Sequence, residues 1–276
     1  MFDCPICGEP LTWEARICRC ARGHTYDRAS QGYVNLLRPN RQGSRDPGDN
    51  REMVHGRTQF LDSGSYQPLS DALNRTVLMQ TAGSARPRVL DLGCGEGYYA
   101  ARLAQAFCRE GRELDLGGVD LSKAAVRHAA GRCKSGRFAV ASLFALPVGD
   151  GGVDLCYNVF SPLAPQEFAR ILSPQGRFVA AYPAARHLFG LKQVLYDAPY
   201  ENPEKTFVLP GFAIRSRERL TFPLALEGQP LIHSLFLMTP YYYRTPAEGA
   251  RRLEALDRLE TEADFWLVTY EKEGPA

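Results

Sequence analysis

The residues with an evident chemical role begin close to the N-terminus, where cysteines and a histidine recur at short intervals. Cys4 and Cys7 form one pair, and Cys20 and His24 form a second pair further along the chain. Thiolates and imidazole nitrogens are preferred ligands of tetrahedral Zn²⁺, and the spacing C-x2-C-x12-C-x3-H gives two half-sites with two ligands each. Four protein ligands leave no open coordination position, so the spacing predicts a structural zinc ion.

Cys18 is an alternative to Cys20 as the third ligand. It lies two residues earlier, and thiol chemistry alone does not distinguish the two. Thiols without a metal are the other interpretation, although an isolated C-x-x-C pair would suit it better than two paired half-sites. A metal would also replace the core that a segment of roughly 35 residues cannot build alone.

A second group of residues follows a short apolar segment. The run Val89-Leu-Asp-Leu-Gly-Cys-Gly-Glu-Gly-Tyr-Tyr99 predicts a buried parallel strand, a glycine turn and the start of a helix. Gly93, Gly95 and Gly97 permit positive φ angles and a close approach of a ligand to the backbone. A glycine turn without a ligand is the alternative interpretation.

The spacing of these glycines favours one class of ligand. Dinucleotide sites use G-x-G-x-x-G, whereas this turn has G-x-G-x-G and is preceded by Asp91. A carboxylate there suits a cationic ligand better than a diphosphate, and S-adenosylmethionine carries an ammonium and a sulfonium. Asp-x-Gly-x-Gly-x-Gly resembles motif I of the class I methyltransferases, whose turn accommodates the methionine part and the ribose of that cofactor. We therefore assign Asp91, the three glycines and Glu96 to cofactor binding.

Two polar residues after later strands extend this candidate site. Asp120 follows the strand predicted at 114–119, where a carboxylate accepts hydrogen bonds from ribose hydroxyls. Capping of the helix predicted at 122–133 is the alternative role for Asp120. Ser142 follows the strand predicted at 138–141 and is expected near the adenine.

The fourth predicted strand, at 153–160, contains Asn158. The residues from Asn158 to Pro162 are expected to face the transferred methyl group, but they lack the N-P-P-Y-like tetrapeptide of many methyltransferases that act on exocyclic or amide nitrogens. An aromatic-rich run, Met238–Arg244, is expected near the end of a later strand. It could stack a flipped-out base, with core packing favoured for at least one of its three tyrosines.

Composition limits the class of protein. With 45% hydrophobic and 23% charged residues, the chain has the composition of an ordinary soluble globular protein. We find no apolar run of membrane-spanning length and no secretory leader, so we expect a cytoplasmic protein that does not contact membranes. Seven arginines and a single acid, Asp27, lie between Arg16 and Arg45. This surplus suits a polyanion, and a solvated basic face is the alternative.

Longer stretches of the sequence resemble the RlmA family. The similar runs are C-P-I-C-G-E-P-L, G-H-T-Y-D, Q-G-Y-V-N-L-L, D-P-G-D-N-R-E-M, F-L-D-S-G-S-Y-Q-P-L and V-L-D-L-G-C-G-E-G-Y-Y. Members of this family are 23S ribosomal RNA guanine-N1 methyltransferases with an N-terminal zinc-binding module. The resemblance therefore implies transfer of a methyl group from S-adenosylmethionine to N1 of a guanine in a hairpin loop.

The resemblance also implies roles for single residues. It implies that Cys4, Cys7, Cys20 and His24 bind the zinc ion, and it thereby selects Cys20 over Cys18. Tyr66, in G-S-Y-Q-P-L, and His187, in P-x-x-R-H-L, match residues that contact the cofactor. It implies a homodimer and leaves open which guanine is modified. The acceptor of the guanine N1 proton cannot be named from the sequence.

These patterns together predict an α/β fold: a class I Rossmann-like methyltransferase domain with a seven-stranded mixed sheet and an N-terminal zinc-binding module. The predicted units are a zinc-binding RNA-recognition module at 1–37, a mobile linker with bridging helices at 38–80, and the methyltransferase domain at 81–276. In the predicted function, the zinc module and the arginine-rich face dock 23S ribosomal RNA. A small-molecule methyltransferase and a non-catalytic ribosome-assembly factor are the alternatives.

Overall fold

The computed structural model describes residues 1–38, 50–203 and 206–273. The segment predicted to be mobile falls on residues 39–49, outside these ranges. The strands are β1 Thr12–Trp13, β2 Ile17–Arg19, β3 Thr25–Asp27, β4 Val34–Asn35, β5 Arg88–Leu92, β6 Asp115–Asp120, β7 Arg137–Val140, β8 Val153–Val159, β9 Leu172–Pro183, β10 Phe212–Glu227 and β11 Arg258–Lys272. The helices are α1 Arg51–Asp62, α2 Gln67–Gln80, α3 Tyr98–Arg109, α4 Lys123–Arg132, α5 Pro165–Ile171, α6 Phe189–Leu195, α7 Gln229–Leu237 and α8 Ala247–Glu254, with a 3-10 helix at Pro240–Tyr243.

The main sheet has the strand order β10-β11-β9-β8-β5-β6-β7-β4. The strands from β9 to β4 are parallel, and β11 and β10 are antiparallel to their neighbours. Val89, Leu90 and Leu92 of the central β5 are all fully buried, because helices or the N-terminal module cover both faces of a parallel sheet. The predicted seven-stranded mixed sheet is confirmed, and β4 adds an eighth strand.

The C-terminal part of the chain supplies β10 and β11. Two helices and the 3-10 helix lie between them, and this insertion corrects the position of the aromatic-rich run. Met238–Arg244 follows α7 rather than a strand. Tyr241 is buried, as expected for a core residue, whereas the side chain of Tyr243 is exposed.

The N-terminal module joins the main sheet directly. Its own small sheet has the order β1-β2-β3, and β4 then pairs in parallel with β7. The Leu36 N–H extends this contact by donating to the carbonyl of Val140 at 2.9 Å. Phe2 packs in one hydrophobic cluster with Leu90 and Leu92 of β5. The module and α5 therefore cover one face of the sheet, and most other helices cover the opposite face.

Two helices, α1 and α2, lie in the segment for which the sequence predicts bridging helices. Asn50 caps α1, and its side chain accepts a hydrogen bond from the N–H of Met53 at 2.9 Å, which satisfies one of the donors that a helix start leaves unpaired. Helix α1 packs against α7, and α2 packs against α3.

Replacing Gly97 with alanine is expected to destabilise this fold. Gly97 precedes α3 with φ +84°, and an added Cβ would lie 2.7 Å from Cα of Ala129 in α4. We expect a loss of about 2–4 kcal/mol of unfolding free energy, measured by urea denaturation. The control is Gly131→Ala in α4, where nothing lies within 4 Å of the added Cβ, and we expect it to be neutral or stabilising by up to about 1 kcal/mol. Equal stability of the two variants would contradict this packing.

Candidate functional site

The four predicted zinc ligands meet at one point in the N-terminal module. One ligand atom from each of Cys4, Cys7, Cys20 and His24 lies within 4.8 Å of every other. The Sγ atoms of Cys7 and Cys20 are 3.6 Å apart, and His24 Nδ1 lies 3.4 Å from the Cys20 Sγ. Zn–S bonds of about 2.3 Å would place tetrahedral sulfurs about 3.8 Å apart. The donor set and its spacing therefore fit one zinc ion.

Cys18 does not belong to this cluster. Its side chain is fully buried in the hydrophobic cluster beneath the module, and burial raises the pKa of its thiol to about 11. Tyr26 is a contributor that sequence reasoning missed, because its hydroxyl lies 3.0 Å from the Cys4 Sγ. A ligating thiolate only accepts hydrogen bonds, so the phenol would donate and orient this ligand.

The glycine turn forms the wall of a cavity of about 380 Å³ at the carboxyl ends of β5, β6 and β7. We call it the turn cavity. Ligands of open α/β sheets bind at this edge. Of the residues predicted to bind the cofactor, those that line it are Gly93, Gly95, Glu96, Asp120 and Ser142.

Asp120 holds the turn in place. One carboxylate oxygen accepts the N–H of Gly95 at 3.0 Å, and the other accepts the N–H of Ser122 at 2.8 Å. The N-cap of α4 is Ser122, whose side chain accepts from the N–H of Ala125. Asp120 is therefore not the cap residue of that helix, and its position at the cavity wall agrees with the predicted ribose contact.

Two polar atoms of the turn cavity wall have no hydrogen-bond partner within the described residues. Glu96 Oε1 and Tyr99 Oη are buried and make no hydrogen bond, although Arg132 lies 3.9 Å from the Glu96 carboxylate. Burial raises the pKa of Glu96 and, well above its usual range, the pKa of Tyr99. A buried polar group without a partner costs free energy. The ammonium and hydroxyl groups of S-adenosylmethionine offer the partners that these atoms lack, so the wall fits this cofactor.

Asp91 and Gly97 lie behind the cavity wall rather than on it. The carboxyl group of Asp91 is buried, and the Tyr157 hydroxyl donates to it at 2.9 Å. Burial raises the pKa of Asp91 well above its usual range. Gly97 provides the close contact of α3 with α4 described above. The structure thus gives both residues a supporting position behind the turn.

A second cavity of about 470 Å³ adjoins the first. We call it the His187 cavity, since His187, Tyr66 and Asn158, which the sequence assigned to the cofactor, line this space instead. Four residues line both cavities and form their shared wall: Phe160, Ser161, Met238 and Pro240.

His187 is held as a neutral imidazole. Its Nδ1 accepts the N–H of Asp264 at 3.3 Å, so Nε2 carries the proton and donates to the hydroxyl of Tyr66, also at 3.3 Å. Burial lowers the pKa of His187 to about 3. Tyr66, one of the largest fully buried side chains, can still donate its own proton to a ligand.

The shared wall depends on bonds between side chains and backbone. The Ser161 hydroxyl donates to the carbonyl of Leu92 at 2.6 Å, and the Asn158 amide donates to the same carbonyl at 3.3 Å. Phe160 lies between these residues with φ 60° and 42% of its side chain exposed. Positive φ in a large non-glycine residue is rare and marks functional loops. The sequence carried no local signal for this conformation.

Comparison with known proteins agrees with this geometry. Residues 2–45 match the family described as "RlmA, N-terminal", and residues 89–176 match the one described as "Methyltransferase domain". The 23S rRNA (guanine(748)-N(1))-methyltransferase of Streptomyces fradiae is 36% identical over 92% of this chain and 90% of that protein. The chain belongs to the RlmA family.

Two further relatives of this RlmA chain have similar names. The Bacillus subtilis protein named "Putative 23S rRNA (guanine-N(1)-)-methyltransferase YxjB" is 30% identical over 96% of this chain and 94% of that protein. A protein of Micromonospora griseorubida named "Putative 23S rRNA (guanine-N(1)-)-methyltransferase" is 35% identical over 68% of this chain and 67% of that protein. Within the described ranges, no helix is long and apolar enough to cross a membrane.

Zinc binding distinguishes Cys20 from Cys18. We expect purified protein to contain one zinc ion per chain, measured by atomic emission, and Cys20→Ser to lose it because a weaker hydroxyl ligand replaces a thiolate. Cys18→Ala removes a neighbouring thiol that lies outside the cluster and should retain full zinc content. Zinc loss in Cys18→Ala with retention in Cys20→Ser would reverse the assignment.

Cofactor affinity tests the position of Asp120. We expect Asp120→Ala to weaken S-adenosylmethionine binding about 10-fold to 100-fold in calorimetry, because hydrogen bonds to a charged group contribute about 1.5–3 kcal/mol. Asp115→Ala is the matched control, since Asp115 begins the same strand and lies 3.7 Å from Arg137, away from the turn cavity. Equal affinities of the two variants would remove Asp120 from the site.

Proposed function

We propose that this protein transfers a methyl group from S-adenosylmethionine to N1 of a guanine in a hairpin loop of 23S ribosomal RNA. The adjoining turn and His187 cavities carry this proposal. One has the motif I turn in its wall, and the other has room for a base beside it. The 36% identical relative acts on guanine 748, so the equivalent guanine is the first target to test.

The chemistry requires an in-line displacement. A bond forms between guanine N1 and the methyl carbon, the bond from that carbon to sulfur breaks, and its electron pair remains on sulfur. Guanine N1 bears a proton and lies on the Watson–Crick edge, so the base must leave its pair and lose that proton. S-adenosylmethionine supplies an activated methyl group, and the protein supplies position and shelter from water.

The residues at the junction of the cavities suit these tasks. Phe160 offers a partly exposed ring against which a purine can stack, and Ser161 and Asn158 hold the loop that carries it. Tyr66 and His187 present a neutral donor and a neutral imidazole to the His187 cavity. We therefore assign these five residues to positioning the base and the methyl donor relative to each other.

The zinc module is the proposed docking site for the RNA backbone. Its exposed arginines are Arg16, Arg19 and Arg22, and the exposed Arg38 follows it. Arg19 forms an ion pair with Glu14 at 2.6 Å, and Arg22 forms one with Glu9 at 3.6 Å. Arg28 is already engaged, since it donates to the carbonyls of Glu14 and Gly32 and lies over the Trp13 ring. Arginines on one module attract phosphates without reading the sequence. A homodimer that encloses the RNA and a cytoplasmic location complete the proposal.

Methyl transfer to RNA tests the function. We expect tritium from labelled S-adenosylmethionine to appear in unmodified 23S RNA and, after nucleoside analysis, in 1-methylguanosine. RNA in which the target guanine is replaced by adenine is the control, and it should remain unlabelled. Label on another atom would keep the partner and overturn the chemistry. Cofactor binding without transfer to RNA would favour a small-molecule substrate or an assembly role.

A further inference from the structure

Lys192 of α6 is a buried cation next to the His187 cavity. Its side chain is fully buried, and its ammonium donates to the carbonyl of Tyr200 at 2.9 Å and to Asn202 Oδ1 at 2.8 Å. The same nitrogen lies 4.3 Å from the ring centroid of Tyr200 and 5.4 Å from that of Tyr241. Tyr200, Asn202 and Tyr241 all line the His187 cavity. Each contact of the ammonium is therefore with a residue that lines the cavity.

This cation has neutral contacts. Within the described ranges no carboxylate lies at ion-pair distance from Lys192, and the oxygens it contacts belong to a carbonyl and an amide. Burying a charge with neutral partners is costly, and burial lowers the pKa of Lys192. Titratable groups whose pKa is shifted by burial occur preferentially at functional sites. Among the described residues the ammonium thus has no ion-pair partner, and the charge of Glu201 only partly offsets the effect of burial on its pKa.

The described wall of the His187 cavity offers no evident acceptor for the guanine proton. Among the described residues that line it, none carries a carboxylate. His187 is the only imidazole of that wall, and with a pKa of about 3 it is a poor base at neutral pH. Arg244, also in the wall, adds a second cation. These surroundings favour the deprotonated, anionic form of the bound guanine over its neutral form.

We propose that Lys192 acts as a positioning residue that stabilises the N1-deprotonated form of the bound guanine. The inference rests on the proposed function. The N1 proton leaves to water before methyl transfer, and the resulting negative charge on N1 and O6 is stabilised by the ammonium behind the cavity wall. The anion then attacks the methyl carbon, and the electron pair of the broken bond remains on sulfur. This route needs no protein general base.

Other titratable and charged groups face Lys192 from the surrounding elements. Glu201, whose charge partly offsets the effect of burial on the pKa of Lys192, pairs with Arg186. Asp264 pairs with Arg219, and Asp197 pairs with Arg252. The rings of Tyr200 and Tyr241 lie against the ammonium, and Tyr196 packs on both rings. His187 and Arg244 line the same cavity. Burial raises the pKa of Tyr241, so this phenol stays neutral near neutral pH. Lys192 behind the wall and Arg244 in the wall are therefore the cations of this side of the cavity.

The pH dependence of a single turnover tests the proposal. For the unaltered protein we expect the rate of RNA methylation to rise between about pH 6 and pH 9 as bound guanine loses its proton, and to fall when Lys192 loses its own. Lys192→Met should shift the rising limb of the pH–rate profile to higher pH by about one unit or more. At neutral pH this shift lowers the rate about tenfold. Lys192→Arg keeps its charge throughout this range and should abolish the falling limb.

Controls separate this effect from misfolding and from failure of the proposed function. Lys134→Met removes an exposed lysine and should leave the profile unchanged, and S-adenosylmethionine affinity reports the fold of each variant. A rate for the unaltered protein that does not vary with pH would overturn the proposal, even if Lys192→Met does not fold. If Lys192→Met lowers the methylation rate by the same factor at every pH, the proposal is also overturned. The absence of RNA methylation in the unaltered protein would instead refute the proposed function.

Discussion

The carbonyl oxygen of Leu92 is the point on which the candidate site depends. It ends the central strand β5 and accepts hydrogen bonds from Ser161 and Asn158 in the loop after β8. These bonds place the Ser161 side chain where a Cβ on residue 93 would otherwise lie, so only glycine fits there. The same contact sets the wall that both cavities share. A bond between two strand ends thus fixes the glycine turn and the position of Phe160 together.

The zinc site is coupled to this arrangement through the sheet. Strand β4 follows the metal ligands in the chain and pairs with β7, and Ser142 lies just beyond the end of β7 in the turn cavity wall. A metal-dependent module usually folds only with its metal. Because the module shares a hydrophobic cluster with β5, the metal also supports one face of the methyltransferase sheet. The position of the module relative to the cavities is therefore set by backbone pairing.

Local patterns predicted much of this fold. The zinc spacing, the glycine turn and the alternation of strands and helices lie in short windows, and the structure brings those residues together as expected. Strand β4 has two residues, too few to produce a periodic signal. Tyr66 and His187 meet across 121 positions of sequence, so no local pattern could show that they line a second cavity. The burial of Lys192 likewise depends on side chains from distant segments.

The two edges of the main sheet differ in their exposure to other chains. The module covers one edge with β4, whereas β10 forms the other edge of the described sheet. An uncovered strand can pair with an edge of another molecule and begin aggregation. Strand β10 carries Arg215, Arg217 and Arg219, with Pro223 further along. Two such edges would bring like charges together, and proline provides no N–H for the new ladder. These residues therefore oppose edge-to-edge pairing of two copies of β10.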